Sequence, residues 1–267
     1  MRDEAKYDRI GIGYTKYRRP DPRLVQAIIH HLGLPPRSTV ADIGAGTGSY
    51  SAALAAAGFS VKAVEPSQVM RGQAVQHERV EWYAGVAEDI PLPDRSVAGA
   101  ISVLAVHHLG SFERAARELV RISAGPIVLF TYDPRESEPF WLSNYFPEMF
   151  EFAYRLFPPL TDVQELFAGL GRTSTVIPFA LPHDLQDLFL AAAWRRPRLY
   201  LDPEVRACMS VFASASLEAV RPRIDRLRRD LESGAWQKAY GSILEPEEFD
   251  AGYRFVRVGE AQAAIGR

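Results

Sequence analysis

The stretch from Val40 to Glu65, V-A-D-I-G-A-G-T-G-S-Y-S-A-A-L-A-A-A-G-F-S-V-K-A-V-E, constrains this chain more than any other. Thr39 to Ile43 is a short apolar run that breaks into a glycine cluster, the pattern of a buried strand entering a tight turn. Gly44, Gly46 and Gly48, with Ala45 among them, let the backbone turn sharply and let a ligand come close to it. Ser49 to Ala57 then reads as an alanine-rich helix stopped by Gly58. Ser60 to Val64 returns as a second apolar strand, with Glu65 at its carboxyl end. Strand, glycine turn, helix and a strand ending in an acid make one βαβ nucleotide-binding unit.

The loop also narrows the ligand. Asp42 to Ser49 holds no basic residue, so the lysine of a phosphate-binding P-loop is missing. The glycines run G-x-G-x-G rather than G-x-G-x-x-G, which disfavours a nicotinamide dinucleotide. Asp42, two residues before the first glycine, would repel a pyrophosphate but suits an ammonium or sulfonium cation. Glu65 follows at about the twenty-residue spacing of an acid that accepts hydrogen bonds from ribose hydroxyls. An adenosine joined to a cationic amino acid satisfies all four observations.

These residues resemble a known family. D-I-G-A-G-T-G followed by V-K-A-V-E is similar to motif I and the second-strand acid of the class I S-adenosylmethionine-dependent methyltransferases. G-V-A-E-D-I-P-L-P-D-R-S-V-A-G-A-I-S-V-L-A-V-H-H-L, Gly85 to Leu109, resembles the next two motifs of the ubiquinone/menaquinone-biosynthesis-type branch. The similarity runs from about Tyr7 to Tyr132, roughly half of the chain, and its motifs are specific as a set though weak singly. It implies an α/β fold, a doubly wound seven-stranded Rossmann-like core with helical cap insertions. It also implies S-adenosylmethionine as cofactor and a small-molecule methyl acceptor.

Residue by residue, the resemblance carries cofactor roles onto Asp42, Gly44, Ala45, Gly46, Gly48 and Glu65. Pro66 and Met70 would lie beside the adenine, and the Val103 backbone near the methionine portion. Tyr14 and Arg19, in the N-terminal segment, are candidates to fold over the cofactor and pair with its carboxylate. The family usually has Asp-Ala after the third strand, but Val86-Ala87 stands here, so that acid contact does not carry over. The Ala87 N–H remains able to meet the adenine, and Glu88 or Asp89 could replace the carboxylate. The family's K-P-G-G turn is likewise replaced by Ser123-Ala124-Gly125-Pro126.

Length and composition set the frame around this core. At 267 residues the chain can bury a large core, and one elaborated domain is expected. The divisions are an N-terminal lid and helix (1–32), a cofactor core (33–135), an aromatic cap (136–171) and C-terminal strands with a helical insertion (172–267, the insertion 183–250). Net charge of −2 gives no attraction to nucleic acid, and no apolar run is long enough for a membrane. Met1 to Ile10 is too charged for a signal peptide, and one cysteine, Cys208, points to a reducing compartment, so a cytoplasmic location is expected. No metal-ligand spacing is present. Oligomeric state is left open.

Further elements follow from the same signals. Leu24 to Leu32 reads as an amphipathic helix ending at Gly33, Ser67 as the cap of a helix through Gln76, and Val80 to Ala84 and Val97 to Val103 as strands. A helix over Ser111 to Ser123 and a strand over Pro126 to Tyr132 complete the core. Thr161 and Gln164 suggest a capping box for a helix ending at Gly171. Thr173 to Ala180 is expected as a sixth strand, and Tyr253 to Val258 as an antiparallel strand beside it. The basic run from Arg221 to Arg229 is interleaved with acids, as on a solvated helix face.

Two groups of residues are candidates for the chemistry beyond the cofactor. His107 and His108, at the carboxyl end of the fourth strand, could supply a general base, or could pack beneath the cofactor and cap the following turn. Eight aromatic residues between 140 and 157, Trp141, Tyr145 and Phe146 among them, could form a mobile cap over an apolar or aromatic acceptor, or could pack the insertion onto the sheet. The glycine loop alone does not separate a methyltransferase from a non-catalytic S-adenosylmethionine-binding regulatory protein. An enclosed apolar cavity favours the enzyme.

Overall fold

The computed structural model describes residues 14–213 and 216–260. Its strands are β1 (Thr39–Ile43), β2 (Ser60–Val64), β3 (Val80–Tyr83), β4 (Gly99–Val103), β5 (Ile127–Tyr132), β6 (Arg172–Pro178), β7 (Leu181–Pro182), β8 (Glu248–Phe249) and β9 (Tyr253–Glu260). Seven of them form one sheet in the order β3-β2-β1-β4-β5-β9-β6, and β7 pairs with β8 apart from it. The five strands β1 to β5 are parallel, while β9 lies antiparallel between β5 and β6. From β1 the chain winds outward through β2 to β3, then crosses back to β4 on the other side of β1. That reversal opens a crevice at the carboxyl ends of β1 and β4.

Strand periodicity explains the double winding. Successive side chains of a strand face opposite sides of the sheet. In β5, Val128, Phe130 and Tyr132 join an apolar cluster with Trp141 and Trp194, whereas Ile127 and Leu129 join a second cluster with Leu119 and Phe167. Both faces of the sheet are thus covered, which is why its central strands are rich in apolar residues.

The helix ends follow capping chemistry. Asp21 caps Pro22–Leu32, accepting the Arg23 N–H at 2.9 Å, and Ser111 caps Phe112–Ile122. Ser67 caps Gln68–Gly72, which stops short of Gln76 because Gly72 is a poor helix former and the Val75 N–H turns away to Thr47 O at 2.9 Å. The capping box expected at Thr161 and Gln164 does not form. The helix Leu160–Gly169 begins with the Leu160 N–H on Asp133 Oδ2 at 3.2 Å, and the Gln164 side chain reaches Ser174 O.

The aromatic stretch forms two helices, Trp141–Tyr145 and Pro147–Leu156, and its Trp141, Tyr145 and Phe146 side chains are buried in the core. The Trp141 side chain is fully buried, its Nε1–H donating to Trp194 O at 2.7 Å, while Trp194 Nε1–H donates to Leu181 O at 3.0 Å. Tyr145 donates its hydroxyl proton to Asp230 Oδ2 at 2.6 Å, tying this segment to the helix Leu217–Ser233. The long segment between β7 and β8 supplies the other half of this layer through Trp194, Tyr200 and Trp236, all fully buried.

Candidate functional site

A cavity of about 760 Å³ lies at the carboxyl ends of β1, β2 and β4. The loop after β1 is folded onto β2, the N–H groups of Gly44 and Ala45 both donating to Val64 O at 2.9 and 3.1 Å. Gly44 has φ +74°, and a Cβ there would come within 2.6 Å of the Ala105 Cβ, so glycine is required on both counts. Gly44, Ala45 and Gly46 line the cavity. Gly48 does not; it lies under Trp82, whose ring atoms would meet an added Cβ at 2.5 Å, so its role is packing.

Glu65 is held in place from two sides. Its Oε2 accepts the Gly46 N–H and its Oε1 the Ser67 N–H, each at 2.9 Å. Burial raises the carboxyl above its ordinary value, while those two donors and the nearby Arg71 oppose the rise. Asp42 differs from expectation. It lies behind the loop, 2% exposed and off the cavity wall, where it accepts the Ser51 hydroxyl at 2.6 Å. Loss of solvation, reinforced by Glu65, pushes its carboxyl up to about 6 against the Ser51 hydrogen bond.

Pro66, Met70, Ala87, Glu88, Asp89 and Val103 also line the cavity. Glu88 Oε1 accepts the Ser111 N–H at 3.0 Å, which brings that carboxylate to the wall between β3 and β4. The N-terminal candidates are corrected by one residue. Arg18, not Arg19, lines the cavity, its Nε donating to Asp187 Oδ1 at 2.5 Å. Arg18 is bridged to Asp187 like a strand residue, so its neighbour Arg19 faces the opposite way and is exposed. The Tyr14 side chain lies outside the described residues. Tyr50 also donates to the buried Asp187, at 2.7 Å to Oδ2. Sequence reasoning missed Tyr50 and Asp187, since no local signal joins positions 18, 50 and 187.

The two histidines part ways. His108 lines the main cavity, whereas His107 lies deeper, its Nε2 3.2 Å from Ser210 Oγ and its ring 4.2 Å from that of Phe157. Their own rings are 3.7 Å apart. Among the described residues, neither this cavity nor the smaller one behind it is lined by Trp141, Tyr145 or Phe146, because those side chains are consumed in the core.

Comparison with known proteins places this geometry. The crystal structure of a candidate methyltransferase from an antibiotic biosynthesis pathway of Anabaena variabilis is 51% identical, covers 90% of this chain and 98% of its own, and superposes with a TM-score of 0.88. The chain belongs to the class I S-adenosylmethionine-dependent methyltransferases. A family model for a methyltransferase domain matches residues 41–125 of this methyltransferase. The ubiquinone/menaquinone biosynthesis C-methyltransferase of Rubrivivax gelatinosus is 32% identical over 117 residues, 42% of this chain and 45% of that protein. The matches span less than half the length of the curated relatives. The Haemonchus contortus phosphoethanolamine N-methyltransferase 2 complexed with S-adenosyl-L-methionine shares the fold, with a TM-score of 0.63 at 18% identity over 97% of this chain and 59% of its own.

S-adenosylmethionine is the cofactor of this family, and the residues present fit it. Glu65, with one N–H on each oxygen, keeps lone pairs that ribose hydroxyls could use, and the glycine loop leaves the backbone bare beside it. Arg18, on the cavity wall, is a cation that could meet the carboxylate of the amino-acid end. The volume suits a cofactor-sized ligand with room beside it.

Proposed function

We propose that this protein transfers the methyl group of S-adenosylmethionine to a small, largely apolar or aromatic acceptor that carries a protic oxygen or nitrogen. The observation that carries the reading is that the cofactor cavity and a second, aromatic-walled cavity share Arg18, Leu104 and His108 as common walls. Direct transfer needs the methyl and the acceptor atom in contact, and cavities that adjoin in this way would bring the two ligands side by side.

The cofactor supplies a methyl group already activated by its sulfonium. What the chain supplies is position. Glu65 holds the ribose, Arg18 and Tyr50, both fixed by Asp187, hold the amino-acid end, and His108 stands at the wall between donor and acceptor. Orientation of this kind is worth roughly 7–11 kcal/mol of barrier. His108 is placed to take the proton that a protic acceptor gives up, with His107 packed against it and anchored through Ser210. A cytoplasmic setting accords with a single thiol, Cys208, that burial keeps protonated. Among the described residues, no helix is long and apolar enough to cross a membrane.

The test is transfer of isotopically labelled methyl from S-adenosylmethionine to a panel of phenols, anilines and aromatic acids, read by mass spectrometry. Labelled product from the protic members supports the reading. Binding of S-adenosylhomocysteine without transfer to any member would favour a regulatory protein instead.

A further inference from the structure

Asp187 lies in the long segment between β7 and β8, outside the residues 41–125 that the family model matches. It is nonetheless joined to two residues of the cofactor cavity. Its Oδ1 accepts the Arg18 Nε–H at 2.5 Å and its Oδ2 the Tyr50 hydroxyl at 2.7 Å, with Arg18 Nη2 at 3.5 Å from Oδ2. The Asp187 side chain is 1% exposed and that of Arg18 13%, so a ligand in the cavity can meet the guanidinium but not the carboxylate.

The backbone around Asp187 is zipped to the segment that carries Arg18. Leu188 N–H donates to Tyr17 O at 3.0 Å, Arg18 and Asp187 form an antiparallel bridge, and Gln186 N–H reaches Asp21 Oδ2 at 3.0 Å. Asp21 is the same carboxylate that caps the helix Pro22–Leu32. Arg23 Nη1 closes the row on Asp184 Oδ1 at 2.7 Å. Of these side-chain pairs, it is Arg18 with Asp187 that lies at the cavity.

An arginine side chain turns about several bonds, and fixing it costs entropy unless an anchor already holds its fork. Asp187 is that anchor. Its charge works the other way, because a carboxylate beside Arg18 weakens the pull on a second one. Position outweighs field here. A guanidinium this buried that lost its counter-ion would be left as an unpaired charge, and turning out to water, away from the cavity, relieves that cost.

We infer that Asp187 is a positioning residue for the cofactor: it holds Arg18, and with it Tyr50, where the carboxylate of the amino-acid end arrives. The segment between β7 and β8 is then part of the cofactor site, although Asp187 itself touches no ligand. The inference rests on the reading that Arg18 meets that carboxylate. Seating of the segment and occupancy of the amino-acid end are linked in consequence, each favouring the other.

The experiment uses S-adenosylhomocysteine and methylthioadenosine, which keeps the nucleoside and the sulfur but ends in a methyl group. Calorimetry gives the affinity of each for wild type, Asp187→Ala and Arg18→Gln. Wild type should prefer S-adenosylhomocysteine, and both variants should lose about tenfold of that preference while methylthioadenosine binds as before. A merely structural role for Asp187 would weaken both ligands alike. A second measurement needs no variant. With each ligand at the same multiple of its dissociation constant, the Gln186 and Leu188 amides of wild type should exchange about tenfold more slowly with S-adenosylhomocysteine than with methylthioadenosine. A preference in Asp187→Ala equal to or above that of wild type, or equal protection by the two ligands, would overturn the inference. The underlying reading fails differently: Arg18→Gln would then keep the full preference.

Discussion

Glu65 Oε2 accepts the Gly46 N–H at 2.9 Å, joining the acid at the end of β2 to the glycine loop that follows β1. The chain's own contacts therefore hold the candidate cofactor site together, since the loop and the acid keep each other in register. Preorganisation of this kind lowers the ordering cost of binding.

Asp42 makes the stability of the fold depend on pH. Its folded value, pushed up from 3.8 to about 6, lies above the unfolded one. The stability it contributes as a neutral acid is thus fully present below the unfolded value and is lost as pH rises through about 6. The rise corresponds to roughly 3 kcal/mol. Chemical denaturation of Asp42→Asn across that window should give a flatter stability curve than wild type. Parallel curves would mean that Asp42 is ionised at no cost where it stands.

His108→Asn should lower turnover of a protic acceptor by about 10²–10⁴-fold and remove one limb of the pH–rate profile, with S-adenosylhomocysteine affinity little changed. His107→Asn should shift that limb instead, because His107 acts on its neighbour through ring packing and the Ser210 contact. Full activity in both variants would leave the imidazoles with a packing role alone.

Trp141→Ala should cost about 3–5 kcal/mol of stability and leave S-adenosylhomocysteine affinity unchanged, since the ring is fully buried away from the cavity. Hydrogen exchange over residues 136–160 should already be slow in the free protein. Fast exchange that slows only with ligands would restore a mobile cap.

What could be read from the sequence divides along physical lines. β1 and β2 fall on Thr39–Ile43 and Ser60–Val64, as expected, because their largely apolar residues are sharply bounded by Gly44 and Glu65. The aromatic stretch was ambiguous for a reason: Trp141 and Phe157 are equally apolar, yet one fills the core and the other walls a cavity. Composition carries no sign of that difference. Arg18 and Arg19 were indistinguishable until the bridge to Asp187 fixed which of them faces inward.

The cofactor site is tested most directly by calorimetric titration of S-adenosylhomocysteine into wild type, Glu65→Ala and Arg19→Ala. Wild type should bind, Glu65→Ala should bind more weakly by about 1–3 kcal/mol through the lost charged hydrogen bonds, and Arg19→Ala, altered at an exposed side chain, should match wild type. Unchanged affinity in Glu65→Ala would contradict the assignment of this cavity to the cofactor.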